Sequence, residues 1–212
     1  SWDNRTSGTT RNLWDVIYGN SNFVTVGQSG YILTSTDNGS TWIQKTSGTS
    51  NFLYGVTYGN STFVAVGDNG TILTSTDNGT TWGSKTSGTT ETLYGVTYDN
   101  SIFVAEGDSG TILTSSDGTT WTSRTSGTTE GLRGITYENS TFVAVGESST
   151  ILTSSDGTSW YNRTSGTTRN LWDVIYGNSN FVTVGKSGTI YTSSDNGSTW
   201  IQKTSGTSNF LY

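Results

Sequence analysis

Short apolar runs alternate with polar, glycine-rich turns along the whole chain, and the pattern returns every 39 to 40 residues. In the second period the four short runs that predict strands are residues 53–58, 63–66, 71–75 and 81–86. They are rich in β-branched and aromatic residues, which is typical of strands. The turns between them are short, so consecutive strands must be antiparallel. This makes a parallel β-solenoid of the same period the less favoured alternative.

Four antiparallel strands in each period predict the blade of a β-propeller. The second run, as at residues 63–66, is apolar on both faces, as expected for a middle strand that neighbouring blades cover on both sides. We therefore expect an all-β fold, a β-propeller of about five four-stranded blades, in a single repeat domain over residues 1–212. The predicted segments are blades at residues 12–46, 52–86, 92–125, 131–164 and 170–204, an extra outer strand at residues 1–6, and the start of a further repeat at residues 205–212.

One motif, Ser-x-Asp-x-Gly-x-Thr-Trp, closes every period, with one residue fewer before the glycine in the third and fourth copies. Its aspartate can accept hydrogen bonds from backbone N–H groups, and its glycine tolerates a positive φ, so the motif predicts a tight turn of adjustable length. The tryptophan is large enough to cover that turn. We interpret the motif as a structural clip rather than a metal or catalytic site. Its aspartates and tryptophans are Asp37, Trp42, Asp77, Trp82, Asp117, Trp121, Asp156, Trp160, Asp195 and Trp200.

This motif resembles the Asp-box of BNR (sialidase-type) repeats, and residues 63–75 resemble the repeats of bacterial propellers related to photosystem II assembly factors. The resemblance covers essentially the whole chain and implies the propeller fold, which hosts many functions. Sialidase chemistry would need three arginines gripping a carboxylate. Arg5, Arg124 and Arg163 instead recur at one outer-strand position, so they cannot converge on a pocket. We therefore expect no enzymatic activity and no catalytic residues.

Composition narrows the chemistry further. The chain has no cysteine, histidine, proline or methionine, which leaves no disulfide, thiolate zinc site or histidine base, and we expect no metal or cofactor. A net charge of −6 disfavours nucleic acid as a partner. No apolar run approaches the roughly 18 residues of a transmembrane helix, and no signal peptide is present. Because an initiator methionine is also absent, we expect a processed, trimmed or excerpted chain.

The loops of one propeller face vary in sequence over a constant Thr-Ser-Gly-Thr frame. Such variation indicates either a binding surface or drift at exposed positions. Aromatic rings beside amides and carboxylates suit sugars, although the same rings could serve as lids on the blade cores. The candidate binding residues are Trp14, Tyr54, Tyr94, Arg133, Trp172, Asp68, Asp108 and Glu147.

Three acidic residues break the repeat. Glu106 replaces a valine, and Asp15 and Asp173 replace a glycine near the start of the inner strand. The simpler interpretation is that the glutamate reaches solvent and backbone N–H groups satisfy the aspartates. The alternative places all three around the central axis as contacts for a ligand or ion.

The two ends of the chain are nearly identical, since residues 162–212 repeat residues 4–54 with four differences. This indicates either a recent duplication within a longer array or matching ends that link subunits. We expect a structural or assembly module, extracellular or at the cell surface, that associates with itself as a homo-oligomer or polymer or belongs to a larger repeat array. The contact would involve residues near Trp2 and residues 205–212. The alternative is a lectin-like propeller that binds glycans through the variable loops.

Overall fold

The computed structural model describes residues 4–212, and in this range the chain forms five four-stranded antiparallel sheets, which confirms the all-β prediction. Within each sheet the strands lie side by side in chain order, so every internal connection joins neighbours. The only helical elements in this range are three-residue 3-10 turns. No helix among these residues is long and apolar enough to cross a membrane.

Each sheet lies within one of the predicted blade ranges and is called a blade below. The strands are β1 Leu13–Gly19, β2 Asn22–Gly27, β3 Ile32–Ser35 and β4 Ile43–Lys45 in blade 1; β5 Leu53–Gly59, β6 Thr62–Gly67, β7 Thr71–Ser75 and β8 Gly83–Lys85 in blade 2; β9 Leu93–Asp99, β10 Ile102–Gly107, β11 Ile112–Ser115 and β12 Thr122–Arg124 in blade 3; β13 Leu132–Glu138, β14 Thr141–Gly146, β15 Ile151–Ser154 and β16 Tyr161–Arg163 in blade 4; and β17 Leu171–Gly177, β18 Asn180–Gly185, β19 Ile190–Ser193 and β20 Ile201–Lys203 in blade 5.

The chain divides into two compact units. The first contains the residues up to Phe103 together with Ser115–Thr122, and the second contains Val104–Thr114 and Ser123–Tyr212. Each unit has its own apolar core between packed blades. In the first unit Val24, Val26 and Ile32 of blade 1 pack with Leu53, Val56 and Phe63 of blade 2. In the second unit Val143, Val145 and Ile151 of blade 4 pack with Leu171, Val174 and Phe181 of blade 5.

The repeated Ser-x-Asp motif forms a hydrogen-bonded clip in every blade. In blade 2 the Asp77 carboxylate accepts hydrogen bonds from Ser75 Oγ at 2.8 Å, Thr81 N at 2.9 Å and Thr81 Oγ1 at 2.6 Å. These donors lower the pKa of Asp77 to about 2. Asn78 and Gly79 both adopt positive φ, which explains why these two residue types follow the aspartate.

The shorter motif of blades 3 and 4 closes differently. Without the extra asparagine, Asp117 Oδ1 accepts the backbone N–H groups of both Thr119 and Thr120, each at 2.8 Å. The indole of Trp121 donates to Gly118 O at 3.0 Å. One residue can therefore be lost from the turn while the carboxylate keeps its backbone donors.

The predicted extra strand at residues 1–6 lies partly outside the described residues, including Trp2. Residues 4–6 are described and form no strand. Residues 205–212 also form no strand, but they dock on the last blade: Asn209 O accepts the N–H of Gly188 at 2.6 Å, and Leu211 N donates to Gly185 O at 3.1 Å.

Candidate functional site

A β-bulge sets apart the second residue of the inner strand in four blades. In β1 the pairing register shifts between Leu13 and Asp15, and the equivalent shift occurs in β5, β13 and β17. A bulge leaves its extra residue out of the ladder and re-aims its side chain, a device common beside binding sites. The residues placed in this way are Trp14, Tyr54, Arg133 and Trp172, all of which are candidate binding residues. Tyr94 holds the same repeat position in β9.

In the first unit the aromatic residues at this position contact one another. The ring centroids of Trp14 and Tyr54 are 5.1 Å apart, and those of Tyr54 and Tyr94 are 5.3 Å apart. Phe52 joins them, 5.4 Å from Trp14. Trp14 stays 41% exposed. We call Trp14, Phe52, Tyr54 and Tyr94 the aromatic row.

Phe52 was missed among the candidate binding residues. A signal was present, because the other blades carry Asn12, Thr92, Gly131 and Asn170 at its repeat position. Asp68, which was a candidate, lies beside this residue, and its carboxylate accepts two long hydrogen bonds, from Phe52 N at 3.4 Å and Thr92 Oγ1 at 3.5 Å.

In the second unit the equivalent aromatic contacts are made by the docked tail. Trp172 stacks on Tyr212 with centroids 6.1 Å apart and planes 28° apart, as Trp14 meets Tyr54 in the first unit. Lys186 Nζ lies 5.9 Å from the ring centroid of Phe210. Residues 205–212 therefore dock on blade 5 much as the start of blade 2 docks on blade 1.

The remaining candidates of the second unit form a charged cluster, defined as Asp108, Arg133 and Glu147. Arg133 Nη2 lies 3.1 Å from Asp108 Oδ1 and 2.5 Å from Glu147 Oε1. The two carboxylates come from the turns after β10 and β14, and both are partly exposed. The structure thus brings Asp108, Arg133 and Glu147 together.

Glu106 does not reach solvent, so the simpler interpretation of this residue from sequence was wrong. It is fully buried, and neither carboxyl oxygen has a hydrogen-bond partner. Burial raises the pKa of Glu106 to about 8, an effect that the positive charge of Arg133 opposes and the negative charge of Asp108 adds to. The carboxyl group is therefore neutral at pH 7.

The interpretation of Asp15 as satisfied by backbone groups is confirmed. Its carboxylate accepts hydrogen bonds from Val16 N and, across the junction to blade 2, from Val56 N, both at 2.8 Å. At the equivalent place in blade 5, Asp173 accepts Val174 N at 2.8 Å. Among residues 4–212, no hydrogen bond is donated to the second carboxylate oxygen of Asp173.

Each unit also presents an uncovered blade face. In blade 1, Val16 and Tyr18 are 54% and 55% exposed, whereas Val56, the equivalent of Val16 in blade 2, is 3% exposed. In blade 5, Ile175 is 59% exposed. We call the side of blade 1 with Val16 and Tyr18 the leading end face, and the side of blade 5 with Ile175 the trailing end face.

Between residues 4 and 212 no group of three or more acidic side chains is arranged to hold a metal ion. The grooves beside the Thr-Ser-Gly-Thr loops recur from blade to blade and are lined mainly by small polar residues. The arrangement is suited to binding through rings and charges.

No protein-family model matches the chain, and no curated protein matches its sequence. Solved structures do match. A structure described as YCF48 bound to D1 peptide is 20% identical over 92% of this chain and 68% of that chain, with a TM-score of 0.73. YCF48 from Cyanidioschyzon merolae is 15% identical over 92% of this chain and 85% of that chain, with a TM-score of 0.64.

At these identities the likeness shows the β-propeller fold. It supports the resemblance to propellers related to photosystem II assembly factors that the repeats indicated. The sialidase-type assignment of the Asp-box stays a prediction.

Proposed function

We propose that this chain is a non-catalytic assembly propeller that binds a polypeptide partner through the aromatic row. The observation that carries the proposal is the continuous contact of Trp14, Tyr54 and Tyr94 at one repeat position, with Trp14 left exposed. A similar fold supports it, since one matching YCF48 structure is described as bound to a peptide.

The row has the properties of a preorganised binding surface. The bulges hold Trp14 and Tyr54 at fixed positions in the sheet, and mutual packing restricts their rotamers, so binding orders few side chains. Large rings supply much of the buried area in protein interfaces and often dominate their energy. The carboxylate of Asp68 and the amide of Asn51 flank the row and can accept or donate hydrogen bonds to a peptide backbone.

The test begins with a random dodecapeptide phage library panned against the immobilised chain. Enriched peptides are then synthesised and their affinities measured by fluorescence polarisation. We expect Trp14→Ala to weaken binding by about tenfold or more. The matched control is Tyr161→Ala, which removes an exposed ring from the outer strand β16 of the second unit. Equal affinity of the two variants, or no enriched peptide, would contradict the proposal.

A lectin-like role for the same rings is the alternative, and it would accord with an extracellular or cell-surface location. Rings stack on sugars as readily as on peptide groups, and the neighbouring polar side chains could bind hydroxyl groups. A glycan array probed with the parent chain, Trp14→Ala and Tyr161→Ala separates the two ligands. Saturable glycan binding that requires Trp14 would favour the lectin role.

Self-association is a second candidate function, favoured by the two end faces. Val56 of blade 2 is covered because blade 1 packs on it, whereas Val16 and Ile175 have no such cover. A second copy is the proposed occupant, since blade 1 repeats blade 5 almost residue for residue and blades pack through these faces within each unit. The tail at residues 205–212 supports this, because it already makes the first contacts of a following repeat on blade 5.

Light scattering over a wide concentration range tests the association. We expect the parent chain to grow in mass with concentration, and Val16→Asp or Ile175→Asp to stay monomeric. Ile43→Asp, at an exposed position of β4, is the control that should still associate. A parent chain that is monomeric throughout would refute self-association and leave the peptide-binding proposal standing.

A further inference from the structure

Three exceptions to the repeat meet at one place in the second unit. Glu106 occupies a position that is valine in the other four blades. Arg133 occupies a position that is tyrosine or tryptophan in the other four blades. Gly131 is the third exception, since the other blades have larger residues there. A Cβ atom at Gly131 would lie 3.1 Å from both Arg133 Nη2 and Asp108 Oδ1, so the glycine makes room for the charged cluster.

The charges in this place are unbalanced. Asp108 and Glu147 both approach the same nitrogen, Nη2, of a guanidinium group that carries five N–H donors. Beneath them Glu106 is completely buried, with both oxygens lacking hydrogen bonds. Arg133 therefore acts on all three carboxyl groups, and Arg133 together with the two partly exposed carboxylates carries a net charge of −1.

Resting on the proposed function, we infer that the charged cluster is the binding site for a lysine or arginine side chain of the polypeptide partner. The incoming cation pairs with Asp108 and Glu147, Arg133 turns to pair with Glu106, and Glu106 gives its proton to solvent. Asp108 and Glu147 then share the incoming cation, Glu106 pairs with Arg133, and no covalent bond other than the Glu106 O–H is broken.

The electrostatics support this exchange. A buried carboxylate is stable only when a cation pairs with it, and Arg133 is the cation close enough to influence Glu106. The other charged group that acts on Glu106 is Asp108 on the turn after β10, and both Asp108 and Glu147 pair with Arg133. Asp108 is acidic, so it favours the proton on Glu106 until a second cation arrives. The raised pKa of Glu106 is consistent with a proton held ready for release.

Isothermal titration calorimetry with acetylated, amidated tetra-arginine and tetra-lysine peptides tests the site on the full chain. At pH 7 in two buffers of different protonation enthalpy, we expect binding with release of about one proton per site. Tetra-glutamine, the uncharged probe, should not bind. Glu147→Gln should weaken binding by about tenfold, and Glu138→Gln, at an exposed carboxylate at the end of β13, is the control that should bind as the parent chain does.

Glu106→Gln separates the proton step from the binding step. This variant cannot release the proton, so it should bind the basic peptides with an enthalpy that no longer depends on the buffer. Proton release that persists in Glu106→Gln, or equal weakening by Glu138→Gln, would overturn the inference. If the library peptides bind through Trp14 while no basic peptide binds, the inference fails and the proposed function remains.

Discussion

Replacing Glu106 with valine should stabilise the protein, and the gain should grow with pH. Valine stands at this position in the other four blades, where it is buried or partly buried, so the blade can pack it. Glutamate costs stability for two reasons. The folded state must hold a proton that the unfolded chain would release, and the neutral carboxyl group is buried without a hydrogen bond.

The size of the first cost follows from the pKa of Glu106, which folding raises from 4.5 to about 8. At pH 7 the unfolded chain is ionised and the folded chain is not, which costs about 3 kcal/mol. The missing hydrogen bonds add about 1–3 kcal/mol at any pH. Below pH 4.5 both states are protonated and only the second cost remains. From pH 4.5 to 8 the first cost rises, and above pH 8 it levels off.

Urea unfolding followed by tryptophan fluorescence at pH 4.5, 7 and 8 measures the effect. Glu106→Val should be more stable than the parent chain at each pH, with the difference widening as the pH rises. Glu106→Gln is the control that removes the titration but keeps a buried polar group, so it should recover only the pH-dependent part. A difference that does not change with pH would refute the argument that Glu106 is protonated in the folded state.

Three further substitutions test the scaffold. Asp77→Ala should lower stability by about 1–3 kcal/mol in thermal or urea unfolding, because three donors lose their acceptor, without loss of any ligand binding. The clip also makes stability acid-dependent: its contribution is present above pH 4 and disappears as the pH falls through about 2, so an acid titration should show a smaller loss of stability in the variant, which keeps four clips, than in the parent. Asp15→Ala should cost about 1 kcal/mol more than Asp173→Ala, since Asp15 alone is seen to bond across a blade junction. Gly131→Ala should displace the charged cluster and shift the NMR resonances of its side chains while changing overall stability little.

The blades could be predicted from sequence because local chemistry determines them. Alternating β-branched residues set the strands, and the Asp77 turn closes on donors within four residues of it. The residues that form the Asp77 turn therefore all lie in one short segment of the sequence. The five aromatic or charged residues at the repeat position of Trp14 were also identifiable, since their loops vary while the frame is constant.

The tertiary contacts of the site residues could not be predicted from the sequence in the same way. Whether Glu106 reaches solvent depends on what packs over β10, and the pattern of one strand cannot supply that information. The bulge at Trp14 arises from the pairing of β1 with β2, and local sequence propensity does not predict that bulge. Phe52 was overlooked because the equivalent residues of the other four blades are not aromatic, and its aromatic equivalent, Phe210, lies in the partial repeat at the end of the sequence.

The first and last blades show most directly that a repeat sequence does not determine how far each residue is buried. Val24 in blade 1 and Val182 in blade 5 occupy identical sequence contexts, yet Val24 is fully buried and Val182 is not. The difference comes only from the neighbour, since blade 2 covers one and the trailing end face leaves the other open. Hydrogen exchange measured by mass spectrometry should therefore find the segment from residue 174 to 184 less protected in dilute solution than its equivalent in blade 2, residues 56 to 66, where both strands are largely buried. If a second copy covers the trailing end face, that difference should disappear at concentrations where the chain associates. Equal protection of the two segments in a dilute monomer would show that the end face is not open.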